Sequence, residues 1–284
     1  MQAVGWAEAA KHVETPMYVS TTELQTVADE IWAELQHQCA IPKAANIEVF
    51  MDVTQMGVLA FTRRTFLLMD DMWKPSIMSD YSGVDIEIHF NPNVPNGWYN
   101  GDDCNTGWRY DLRTVMRHEM LHGAGLSSSI RRSATATTVG YELGGQCYPT
   151  FYDTRLVSGG VPIVDGCNYV GGPGTVYMAG RSVYVPREYQ AGSSYSHHDE
   201  DGLFRWQLAP KQCSTYNDAE FDMLEGLDYD CGYGRYLLSS GQKLNANCAL
   251  LLLLVLNVWS RSLRVSCLWS SIIASTACWY LHCM

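Results

Sequence analysis

With 284 residues, 47% of them hydrophobic and 17% charged, the chain is long and apolar enough for one large domain with appendages, which argues against a disordered or fibrous protein. A formal net charge of −11, uninterrupted by any basic run, argues against a nucleic-acid partner. Ten cysteines without a CxxC pair point to disulfides in an oxidising compartment rather than to a zinc ribbon or a redox motif.

The start, Met1-Gln-Ala-Val-Gly-Trp-Ala-Glu8, carries neither the basic region nor the apolar stretch of a secretory signal, and no N-x-[ST] sequon follows. The cysteine content is given precedence, so an extracellular or cell-surface location is expected. Residues 20–38 read as a helix. Ser20-Thr-Thr-Glu23 has capping-box spacing, and Leu24, Val27, Ile31 and Leu35 share one face.

Strands are expected at Asn46–Val53, Gly57–Phe61 and Val84–Phe90. In the last, alternation puts Val84, Ile86, Ile88 and Phe90 on one face and Asp85, Glu87 and His89 on the other. A turn-rich connector, Asn91–Gly101, leads to a second helix at about Asp111–Gly123, with Asp111 as N-cap. Residues 127–196, rich in Gly, Ser, Thr, Tyr and Val, read as a long insertion of loops and short strands.

Beyond residue 244 the chain has no carboxylate and only Arg261 and Arg264. Cys248–Trp259 is apolar apart from Asn257, yet twelve helical residues reach only ~18 Å against a hydrocarbon core of ~30 Å. Val265–Leu281 is long enough but is diluted by serines and a threonine, so the hydrophobic, cysteine-containing tail 245–284 is a candidate for a weak membrane anchor or a GPI-type signal.

The chemistry is concentrated in Arg117-His118-Glu119-Met120-Leu121-His122-Gly123-Ala124-Gly125, an HExxH motif inside a segment that independently reads as helix. His118 and His122 stand one turn apart, so both imidazoles can face one ion, while Glu119 is rotated about 100° and can meet a water without ligating. A catalytic zinc normally has three protein ligands. The candidates for the third are His197, His198 and Glu142. Gly125 marks where the helix must end for the chain to turn back towards the metal.

The segment His118–Gly125 resembles the HExxHxxG signature of the metzincin zinc endopeptidases. Ser128 stands where the short form of that pattern has its third histidine, and residues 126–196 look like the long insertion of the leishmanolysin-like branch. The resemblance covers about residues 84–126 and 194–226. It implies Zn2+ held by His118, His122 and His197, with His198 as rival ligand, and a methionine turn at Met223 in Phe221–Gly226. It also implies an edge strand for substrate, for which Val84–Phe90 is the candidate, and Glu119 as general base to a metal-activated water. Tyr195 and Tyr229 are available as oxyanion donors, though nothing singles either out.

The expected architecture is α+β and metzincin-like: a twisted mixed sheet packed on an active-site helix and a backing helix. The catalytic domain would span 1–244, with its cleft between about 1–126 and 194–232 and the insertion at 127–193. The substrate would be a protein or peptide. Two alternatives remain at this level, a gluzincin-like hydrolase with Glu142 as ligand and a secreted zinc-binding protein without turnover. Nucleophilic serine or cysteine catalysis is disfavoured, since no G-x-S-x-G occurs.

Overall fold

The computed structural model describes residues 19–232, apart from 42, 54–56, 173, 200, 201 and 206. The tail 245–284 and the chain start lie outside the described residues. The first helix, α1 (Thr21–Gln38), begins on the expected capping box: Ser20 Oγ accepts from Glu23 N at 3.2 Å and Glu23 Oε2 accepts from Ser20 N at 2.8 Å. Its apolar stripe, Leu24, Val27, Ala28, Ile31, Trp32 and Leu35, is buried.

Three strands form the main sheet: β1 (Ile47–Phe50), β2 (Ala60–Arg64) and β3 (Ile86–Phe90). Their order is β1-β3-β2, with β1 parallel and β2 antiparallel to β3. The second expected strand is thus displaced towards the C-terminus, because Gly57 takes φ +84°, outside extended geometry. Ile86, Ile88 and Phe90 are fully buried, as alternation requires. Two residues of the opposite row are buried as well. Asp85 is buried against Ser76, Lys43 and the Asn46 N–H, and His89 is stacked between Phe50 and Phe61 at 4.8 and 4.7 Å.

Helix α2 (Leu112–Gly123) starts at Asp111, whose carboxylate accepts from Thr114 N at 2.8 Å. Arg113 pairs with Glu30 at 2.7 Å and Arg117 with Glu34 at 3.0 Å, fastening α2 to α1. Gly123 lets the end of α2 approach the sheet, since a Cβ there would lie 2.6 Å from Ile86 Cδ1.

The insertion is built of two- and three-residue strands and one helical turn, Phe151–Thr154. Buried Asp153 ties it to the exit of α2, accepting from Ser128 Oγ at 2.6 Å, Ser129 N at 3.0 Å and Thr150 Oγ1 at 2.6 Å. Disulfides join Cys39 to Cys231, Cys104 to Cys213 and Cys147 to Cys167, three pairings that sequence alone could not choose. They fit an oxidising environment. Among the described residues no helix is long and apolar enough to cross a membrane. A last helix, α3 (Asp218–Glu225), is capped by Asn217 and Glu220.

The architecture is mixed α+β, with small sheets and few helices, as expected at that level.

Candidate metal centre

Three histidines from two distant segments meet beside α2. His118 and His122 share a helix face, and His197 arrives from the loop that ends the insertion; their ligating atoms all lie within 4.8 Å of one another. His118 and His197 are buried and His122 is partly buried.

The hydrogen bonds around the three rings define their tautomers. His118 Nδ1 meets Leu203 O at 3.0 Å, His122 Nδ1 meets Leu126 O at 2.8 Å and His197 Nδ1 meets Ser193 O at 3.1 Å. A carbonyl only accepts, so each Nδ1 carries the proton and each Nε2 keeps its lone pair. His118 Nε2 and His197 Nε2 are 3.1 Å apart. Two lone pairs at that distance repel unless a cation lies between them, and the donor set therefore fits a metal ion.

Gly125 contributes directly to this arrangement. Its φ of +109° belongs to glycine, and a Cβ there would meet Pro75 Cγ at 2.6 Å. That turn brings the Leu126 carbonyl back onto His122.

Burial sets the electrostatics. It pulls His118 down to about 4 and, with the neighbouring imidazoles, holds His122 and His197 well below the ordinary histidine value. All three rings are neutral donors at pH 7. The same burial pushes Glu119 up to about 7, against a lowering contribution from the Thr62 hydroxyl, which donates to Glu119 Oε2 at 2.7 Å.

The three rings rest on Phe204. Its centroid lies 5.2, 4.9 and 5.0 Å from those of His118, His122 and His197, and it is fully buried. Glu220 secures this loop, with Oε1 accepting from Phe204 N at 3.0 Å and standing 3.1 Å from His198 Nε2.

An open cleft of about 260 Å³ leads to the histidines, walled by Gly57–Thr62 on one side and Ala191–Ser193 on another, with Glu119 also lining it. Its strand wall is β2, which pairs with β3 and has no second neighbour among the described residues.

Several sequence expectations are corrected here. His198 is fully buried but turned onto Glu220, away from the cluster. Glu142 is exposed in the hairpin Tyr141–Leu143/Gln146–Tyr148, where Gly144 and Gly145 form the turn with positive φ. Met223 lies within helix α3 and is buried, so it forms no turn. The Val84–Phe90 segment supplies the central strand, not the edge, because β1 and β2 flank it. Tyr195 bonds Tyr169 at 3.0 Å and Tyr229 donates to Ala124 O at 2.9 Å; neither lines the cleft.

Thr62, Arg64 and Phe204 were missed. For the first two the available signal was the alternation of β2, and for Phe204 nothing in the local pattern set it apart. Comparison of the chain with models of known families, with curated proteins and with solved structures yields no match.

Proposed function

We propose that this chain is a secreted zinc-dependent endopeptidase of metzincin-like arrangement, with His118, His122 and His197 as ligands and Glu119 as general base. The observation that carries the reading is the set of three Nε2 lone pairs converging beside a carboxyl group that is not one of them. Three imidazoles suit several divalent metals, but three protein donors with an adjacent acid–base group is the pattern of hydrolytic zinc.

A zinc ion bound there supplies Lewis acidity towards the scissile carbonyl and makes a water more acidic. Glu119 does the proton work. Burial brings its proton affinity near neutrality, where one carboxyl can take a proton from water and return it to the leaving amine. Thr62 fixes the carboxyl's orientation. The edge of β2 that has no second neighbour among the described residues offers backbone groups to an extended peptide.

The test is elemental analysis combined with cleavage of a quenched peptide library, on the wild type, Glu119→Gln, His197→Ala and His198→Ala. Expected are about one zinc per chain in the wild type and in Glu119→Gln, with turnover lower by about a hundredfold or more in the latter. His197→Ala should lose the metal and His198→Ala should keep it. Stoichiometric metal with no cleavage by the wild type would leave a binding protein instead.

A further inference from the structure

One charged group in the cleft is used neither by the metal nor by Glu119. Along β2, alternation puts Ala60, Thr62 and Arg64 on one face, and Thr62 on that face reaches Glu119. Arg64 therefore lies on the Glu119 side, and it lines the same cleft as His122. Its guanidinium stacks over the Phe66 ring at 4.6 Å.

Arg64 Nε is buried without a hydrogen-bond partner. Asp153 lies near enough to favour its charge, but that carboxylate is already engaged by Ser128, Ser129 and Thr150. A guanidinium held in an apolar wall with an unmet donor is costly unless something else satisfies it. Glu119 is the only carboxyl among the described residues that line the cleft with Arg64. An anionic group on a bound ligand would answer the guanidinium there.

Resting on the peptidase reading and narrowing its substrate, we propose that Arg64 selects peptides that place a carboxylate beside the scissile bond, binding it through the guanidinium fork. Two sources carry that group, an internal Glu or Asp side chain and a free C-terminus.

The experiment uses quenched peptides with Glu, Gln or Lys at each position flanking the cleaved bond in turn, each ending in a free acid or an amide. For the wild type, kcat/KM should favour one Glu peptide over its Gln counterpart by about tenfold or more, the scale of a charge-assisted hydrogen bond. A preference that follows the free acid instead assigns the carboxylate to the substrate terminus. Arg64→Gln should bring the ratio to about one and Arg64→Lys should retain part of it, with metal content reporting on folding. No preference in the wild type, or one unchanged in metal-loaded Arg64→Gln, overturns the proposal.

Fluorescent versions of the same peptides, titrated into metal-loaded Glu119→Gln, separate the two readings. Tighter binding of acidic peptides that is lost on adding Arg64→Gln, in a protein whose wild type cleaves nothing, keeps the recognition and removes the hydrolase. Equal or absent binding overturns the recognition.

Discussion

Thr62 Oγ1 stands 2.7 Å from Oε2 of Glu119 and 3.0 Å from the same residue's main-chain oxygen. One side chain of the edge strand thereby holds both the carboxyl group and the helix turn that bears it. Sheet and helix are coupled at the point where a proton would be moved.

Removing that hydroxyl without changing the shape of the side chain isolates its role. Thr62→Val should retain its metal but turn over about tenfold more slowly, the cost of one hydrogen bond to a charged group. The bond lowers the proton affinity of Glu119, so its loss should also move the acid limb of the rate profile to higher pH. Thr62→Ser should restore both. A Thr62→Val protein with wild-type rate and profile would leave Thr62 a packing residue.

Phe204 is the common contact of all three imidazoles, and its backbone N–H is anchored to Glu220. Phe204→Ala should open a cavity beneath the rings and lower stability by about 3–5 kcal/mol. More specifically, it should let the rings tilt, so that zinc passes to a chelator at least about tenfold faster than from the wild type, with Phe204→Leu between the two. Equal release rates in the folded variants would show that the backbone carbonyls alone orient the ligands.

What sequence made legible follows from the range of the interactions involved. Both long helices were readable because capping and i,i+4 spacing are local: Ser20 with Glu23, Asp111 with Thr114, His118 with His122. The glycine after the second histidine was readable for the same reason. His197 was one of three candidates, preferred to His198 only through the family resemblance, since nothing local separates the two. What separates them is a register fixed from afar, with the Ser193 carbonyl orienting one ring and Glu220 on α3 holding the other. The central position of β3 was hidden too, because an alternating strand looks the same at the middle of a sheet as at its edge. Phe204 acquires its place under the cluster from His118 and His122, more than eighty residues away in the chain, and Arg64 from the residues it shares the cleft with.

The buried histidines also make the metal-free protein sensitive to acid. His118 sits at about 4 in the folded chain against an ordinary 6.5, so its contribution is present above 6.5 and lost as the unfolded chain takes up the proton down to about 4. A shift of that size is worth roughly 3 kcal/mol over the full window. Glu119 acts in the opposite sense: raised from 4.5 to about 7, it stabilises the fold at low pH and loses that contribution as pH rises through 7. These two nearly offset each other. His122 and His197, both held well below the ordinary value, decide the sign, and stability should fall from pH 7 to pH 5. In the presence of a chelator, the urea midpoint of the wild type should therefore drop between those pH values. It should drop further in Glu119→Gln, from which the compensating group has been removed. A midpoint that rises on acidification, or a smaller drop in Glu119→Gln than in the wild type, would mean that the three rings are solvated in the metal-free chain and that the cluster is not preformed.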